Sequence, residues 1–179
     1  MFMLICKWLA LLPLSLLTTL AAWLFAPAIV LLHDEQYRLP PKWRWASTPT
    51  SSLLGDAGHR ARWRGKPRYC QMVAWIFRNP ACVAQKRPPL GFERQPGDIY
   101  KATGDEATRD NAGGHSGRVL RVVYRNGKPV CFQFYAVHPW ASHPTRCARF
   151  CLGWKLWTDP AIGYKAQITG RISPFKHFG

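Results

Sequence analysis

The hydrophobic pattern divides the chain into an apolar beginning and a mixed remainder. Residues 8–32 contain no charged side chain, a run of 25 residues. A helix rising about 1.5 Å per residue over that length covers a hydrocarbon core about 30 Å thick. Two crossings would each need about 20 residues, so the run supplies one. Pro13 interrupts it early and Pro27 near its end, where a helix can kink or stop. The pattern therefore predicts a single transmembrane helix over residues 1–32. Its rivals are a cleaved signal peptide and a buried core helix. The run exceeds the apolar region of a signal peptide, about 7–15 residues, and only Lys7 stands before it.

Beyond the run the period changes. Residues 33–68 read as a basic, Trp- and Pro-rich juxtamembrane segment and loop. Leu39-Pro40-Pro41 is extended by proline geometry, and Trp43 and Trp45 alternate with Lys42 and Arg44. Turn residues then dominate, in Ser47-Thr48-Pro49-Thr50-Ser51-Ser52 and Gly55-Asp56-Ala57-Gly58, which reads as a loop. Tyr69, Met72, Val73, Ile76 and Phe77 recur at i, i+3, i+4, i+7 and i+8, the signature of an amphipathic helix over 69–78 that Asn79-Pro80 ends. Residues 81–117 read as irregular, with turns at Pro88-Pro89-Leu90-Gly91 and Gln95-Pro96-Gly97-Asp98. Residues 118–137 read as a hairpin about Asn126-Gly127, because a type I′ turn needs φ > 0 at both central positions. Strands are expected again over 147–157 and 166–172. The predicted fold class is α+β. A transmembrane helix precedes a small domain over 69–179, in which one amphipathic helix packs on an antiparallel sheet of about four strands.

Charge adds direction. Lys and Arg total 25 against 9 acids, a net charge of +16. Arg38, Lys42, Arg44, Arg60, Arg62, Arg64, Lys66 and Arg68 all follow the apolar run, so the positive-inside bias puts the body in the cytoplasm and the N-terminus outside. Thiols there stay reduced, which argues against reading the six cysteines as disulfides. Basic side chains interleaved with Trp43 and Trp45 suit a headgroup zone, where each cation contributes about 1 kcal/mol near an anionic surface. The candidate lipid- or anion-binding residues are thus Arg38, Lys42, Trp43, Arg44, Trp45, Arg60, Arg62, Arg64, Lys66 and Arg68. The bland alternative makes the two Trp a lid on the core and the cations a solvated surface. Nucleic acid is a lesser alternative, because only Trp63 interleaves the densest cluster.

Chemistry is less in evidence. His138, His143, Cys147 and Cys151, with Cys131, could in principle hold Zn²⁺, but their spacing lacks a Cys-x₂₋₄-Cys knuckle. On a strand, Cys147 and Cys151 share a face and become core thiols. Gly113-Gly114-His115-Ser116-Gly117 matches neither a phosphate loop nor a nucleophile elbow and reads as a flexible connection. No catalytic residue, metal or cofactor is predicted.

The motif order does carry a resemblance. Leu39-Pro40, Trp43 and Trp45, Thr48-Pro49, Gly55-Asp56, Trp75 with Arg78-Asn79-Pro80, Gly91, Gly153-Trp154-Lys155-Leu156 and Pro174-Phe175 follow one another along nearly the whole chain. In that order the sequence resembles an uncharacterised family of small membrane-associated proteins encoded by tailed bacteriophages and prophages. Thr50 stands where that family usually has Asp, and Cys82 where it usually has an aromatic. The resemblance implies a phage origin and membrane association, with no known activity to carry over. The expected function is a non-enzymatic single-pass protein of the host inner membrane that binds a protein partner or anionic lipid. The alternatives are a virion component delivered into the cell and a membrane-tethered nucleic-acid binder.

Overall fold

The structure is a computed structural model and describes residues 1–48, 52–109, 114–156 and 163–178. Pro49-Thr50-Ser51 of the expected turn, Gly113 of the glycine run and Trp157 of the expected strand lie outside the described residues. The apolar run forms helix α1 (Phe2–Ile29), followed by a 3-10 turn at Val30–Leu32. By length and composition it could cross a membrane. Pro13 and Pro27 both lie inside the helix rather than ending it. Two compact units share it: one combines Met1–Leu12 with Gly91–Gly179, the other is Pro13–Leu90.

The second unit is helical. It contains a 3-10 turn at Pro41–Ala46, then α2 (Ala57–Arg62), α3 (Arg68–Arg78) and α4 (Cys82–Gln85). Its core gathers Ala22, Ala26 and Ile29 of α1 with Leu53, Trp75 and Ile76. The three α1 residues fall at i, i+4 and i+7 and make one stripe. The expected amphipathic helix is present as α3, with its buried face turned from the expected one. Gln71, Met72, Trp75 and Ile76 are buried, whereas Tyr69 and Phe77 stay 41% and 48% exposed. Its buried face shares a core with Ala22, Ala26 and Ile29 of α1 and with Leu39, Ala46 and Leu53. The segment 46–66 is not all loop either. Asp56 is the N-cap of α2 and accepts from the His59 amide at 2.7 Å, satisfying one of the free N–H groups at the helix start.

Gly55 is fixed by that same corner. Its φ is +77°, and a Cβ there would lie 2.5 Å from the Trp75 ring and 2.9 Å from His59. His59 is buried, and its Nε2 donates to the Gln71 carbonyl at 3.0 Å. In mid-helix, buried Gln85 of α4 donates to the Ser15 carbonyl at 3.1 Å and to Thr19 Oγ1 at 2.8 Å. The polar positions of an otherwise apolar helix thereby meet a polar partner.

The first unit is a sheet. Its strands are β1 (Phe92–Glu93), β2 (Ile99–Gly104), β3 (Gly117–Arg125), β4 (Lys128–Trp140), β5 (His143–Trp154), β6 (Lys165–Ala166) and β7 (Ile168–His177). Five of them form an antiparallel sheet in the order β2-β3-β4-β5-β7, and β1 pairs with β6. The β3–β4 turn has Asn126 at φ 51° and Gly127 at φ 74°, as its sequence requires. The sheet is larger than expected because β2 arises in the stretch read as irregular. Ile99 of that edge strand stays 55% exposed, so no apolar alternation marks it.

The sheet has two different faces. On one, Phe132 meets Trp154 and Trp8 edge-on, each pair with ring centroids 5.8 Å apart. Trp8 Nε1 also donates to the Thr169 carbonyl at 3.0 Å. Gly170 leaves room there for Leu12, whose Cδ2 would stand 2.9 Å from an added Cβ. Gly153, at φ +96°, has no Cβ to meet the Phe132 carbonyl, which is the close approach expected of a strand glycine. The other face buries a polar group. Arg121 is 2% exposed and donates to the Glu106 and Thr108 carbonyls at 3.0 and 3.1 Å and to Gln133 Oε1 at 3.4 Å. Cys147 and Cys151 join Val119, Tyr135 and Val137 in its apolar cluster.

One ion pair ties the sheet's edge. Arg125 holds Asp98 with Nε–Oδ1 at 2.7 Å and Nη2–Oδ2 at 2.8 Å, and Asp98 also accepts from the Gln95 amide at 2.9 Å. The Asp98 side chain is fully covered and Arg125 is 30% exposed. The Arg125 hydrogen bonds hold the Asp98 carboxyl below its ordinary range. Its stabilisation is therefore full above the unfolded carboxylate pKa of about 3.9, and is lost as pH falls below that toward the depressed folded value. Asp98→Asn is expected to cost about 1.5–3 kcal/mol by removing charge-assisted hydrogen bonds, since Arg125 stays partly exposed and keeps the Glu93 carbonyl at 3.2 Å. Thermal unfolding followed by circular dichroism should show that loss at pH 7 and a weaker acid dependence than the parent. Gly55→Ala is expected to cost about 2–4 kcal/mol, from left-handed strain plus a clash with Trp75. A fall in the tryptophan-fluorescence melting midpoint measures it.

Candidate functional site

The features that converge in the helical unit are an apolar surface and a basic one. One stripe of α1 faces protein and the rest faces outward. Leu17 and Leu24 are 61% and 76% exposed, and Leu14, Leu16, Leu20 and Phe25 are exposed as well. An outward face of that size is far from the scattered single apolar residues usual on a soluble surface. The composition of α1 made it visible in the sequence as an apolar run, but only the fold separates the inward stripe from the outward one.

The ten predicted binding residues all lie in this unit. Arg38, Lys42, Arg44, Arg60, Arg62, Arg64, Lys66 and Arg68 are exposed. Three are engaged by the protein itself. Arg44 Nε donates to the Leu39 carbonyl at 3.1 Å, Arg60 Nη1 donates to the Gly55 carbonyl, and Arg68 donates to the Tyr37 hydroxyl. Arg68 also lies 5.4 Å above the Tyr37 ring, which joins the second basic cluster to the residue beside Arg38. Trp43 and Trp45 are half-buried against the helical core, and Trp43 packs on Phe25 at 6.2 Å. They serve as a rim of that core whatever else they touch. Trp43 Nε1 is buried without a hydrogen-bond partner.

The weighed zinc cluster is not assembled. His138 and His143 are exposed while Cys147 and Cys151 are buried. Among the described residues no group of three His, Cys, Asp or Glu could hold a metal ion. Burial pushes the Cys131 thiol well above its ordinary range, the wrong direction for a nucleophile. His115 contacts the Asp105 carboxylate, which also accepts from Thr108 Oγ1 at 3.2 Å and the Ala107 amide at 3.0 Å. Those contacts hold the Asp105 carboxyl below its ordinary range, His115 contributing most. Of the segment read as a flexible connection, His115 is thus joined to Asp105.

Sequence reasoning missed two parts of the site. Ser15, Thr18 and Thr19 mark the helix line that Gln85 meets, and their i, i+3, i+4 spacing inside an apolar run was the available signal. Tyr69 and Phe77, members of the apolar stripe by periodicity, line the surface of α3. The motif residues have structural positions in the same unit: Asp56 pairs with Arg78 at 3.4 Å, and Trp75 Nε1 donates to Thr48 Oγ1 at 3.3 Å.

No curated protein and no solved structure matches the chain. A family model does, over residues 1–179, and it is described as a family of unknown function, DUF7338. Since the match runs from the first residue to the last, the chain belongs to that family.

Proposed function

We propose that the chain is a phage-encoded, non-enzymatic membrane protein that embeds the outward face of α1 in the host inner membrane and binds anionic lipid or a protein partner there. The carrying observation is the exposed apolar face of α1, with Leu17, Leu20 and Leu24 turned away from the unit's core. Water disfavours that surface by about 25 cal/mol per Å². The exposed cations of the same unit suit the anionic boundary of a bilayer. Binding rather than catalysis is the reading because the features that converge are an apolar face and a basic one. The order of the sequence motifs supports the phage origin. The excess of Lys and Arg after the apolar run supports a cytoplasmic body.

A second placement of α1 has its own support. Crossing a bilayer surrounds about 20 residues with lipid or partner helices. Yet Trp8 is 7% exposed, with its indole bonded to Thr169 and its ring against Phe132. That contact favours a helix lying along the membrane with its outward face in lipid and its inward stripe on protein. An N-terminal epitope tag separates the two in sealed inner-membrane vesicles. A crossing helix puts tag and body on opposite sides, and an in-plane helix puts them on the same side.

The parent chain is expected to remain in the membrane fraction after alkaline extraction. Leu17→Lys, Leu20→Lys and Leu24→Lys together should release most of it, because each Lys at depth costs about 2.5–3.5 kcal/mol. Release of the parent itself would overturn the membrane reading. A reporter fused after Gly179 should be active only in a cytoplasmic format, and periplasmic activity would contradict the sidedness. Detergent-solubilised full-length protein should prefer nanodiscs containing phosphatidylglycerol to phosphatidylcholine, less so as salt shortens the Debye length to about 3 Å at 1 M. If an oligonucleotide displaces it from those discs while the discs cannot displace the oligonucleotide, nucleic acid is the ligand instead.

A further inference from the structure

Beside the outward face of α1, Pro27, Trp63, Tyr69, Val73 and Phe77 line an apolar pocket of about 440 Å³. That volume lies within the range of about 300–1,000 Å³ typical of small-molecule sites. It is open to the surface, and three contacts tie its lining residues to α1. Tyr69 OH donates to the Pro27 carbonyl at 3.0 Å. Trp23 stacks on Phe77 at 5.9 Å and 12°, and its Nε1 donates to the Phe77 carbonyl at 3.2 Å. Every one of these groups belongs to the helical unit.

The pocket's charge surroundings are one-sided. Arg62 and Arg64 flank the lining residue Trp63, and Lys66 follows. All three are exposed, and among the described residues their side chains make no hydrogen bond or ion pair. The nearest acid in sequence, Asp56, is taken by Arg78 and the His59 amide. An apolar pocket whose lining residue Trp63 stands between two unpaired cations in the chain matches a ligand that is greasy at one end and anionic at the other. An uncharged apolar ligand would leave the cations idle, and a free phosphate would leave the slot idle.

We propose that this pocket takes one acyl chain of an anionic phospholipid, with the headgroup phosphate held by Arg62, Arg64 and Lys66. The inference rests on the membrane reading above, and makes part of that contact a site for a single lipid. Leu24, 76% exposed, stands three residues before the lining residue Pro27 on α1, so exposed apolar side chains continue along that helix from the pocket.

The test uses full-length protein in mixed nanodiscs of phosphatidylglycerol and phosphatidylcholine. After mild detergent extraction, native mass spectrometry should find phosphatidylglycerol retained over phosphatidylcholine. Arg62→Gln, Arg64→Gln and Lys66→Gln together should cut that retention about tenfold or more, since each cation contributes near an anionic headgroup. Ala74→Trp, which fills the slot, should cut retention of both lipids. Cys70, exposed and lining the pocket, gives a readout without altering the walls. In a Cys6→Ser background its alkylation should slow about tenfold in phosphatidylglycerol discs relative to phosphatidylcholine discs. Equal alkylation rates, or retention that ignores both the cation changes and lipid type, would overturn the site. Failure of the membrane reading is distinct, since the protein would then not enter either kind of disc.

Discussion

The demand that one helix satisfy three surroundings governs this protein. Leu4 and Trp8 are buried within the sheet unit, and Ala22, Ala26 and Ile29 within the helical unit. Outside those buried positions and the Ser15, Thr18 and Thr19 line that meets Gln85, residues 8–29 of the helix are largely apolar and exposed. A surface helix of a soluble protein resolves this by turning charge outward. Residues 8–32 hold no charge to turn outward, so the outward face needs lipid or another apolar partner. Both cores draw residues from α1, so removing the helix would open each of them, and the apolar run is structural as well as a candidate anchor.

The electrostatics divide in the same way. Where charge is structural it is paired: Asp98 sits in the fork of Arg125, and Arg121 is held by carbonyls and Gln133. A buried charge without such partners would cost several kcal/mol. Elsewhere the cations stay in solvent, and each exposed one is worth little to the fold. Arg62, Arg64 and Lys66 are of that kind. Their benefit lies in what they attract from outside, which is why the proposed lipid contact is assigned to them rather than to Arg44, Arg60 or Arg68, each already engaged.

Much of the fold is legible in the sequence where a single residue type has one physical use. Asn126-Gly127 specifies its turn because both positions need φ > 0, and Gly153 signals a backbone approach that no side chain permits. The parts that are not legible depend on neighbours. Trp75 and Tyr69 are both apolar members of α3, and periodicity cannot tell that Trp75 covers Gly55 while Tyr69 reaches out to Pro27. Arg121 looks like an outward polar position in an alternating strand, and it is buried because the segment carrying Thr108 covers it. α2 is short and carries Gly58 and two arginines, so its only sequence signal is the Asp56 cap. For the site, the basic clusters were visible by composition. The pocket was not, since it requires Pro27 and Phe77 to be brought together from 50 positions apart.

The central claim is that α1 keeps its inward stripe on protein while its outward face meets lipid. Single cysteines at Leu17, Leu20, Leu24, Ala22 and Ala26, placed in a chain lacking Cys6 and Cys70, test it most directly. Each is labelled with a membrane-impermeant maleimide in inverted inner-membrane vesicles, which expose the cytoplasmic side, and again in detergent, with Ser142→Cys on the exposed β4–β5 turn as the reference. The account predicts that Leu17, Leu20 and Leu24 positions are protected in membranes. It predicts that they become reactive once detergent replaces lipid, while the Ala22 and Ala26 positions stay protected in both. Labelling of the outward positions in membranes as fast as the reference would show that face in water and contradict the account.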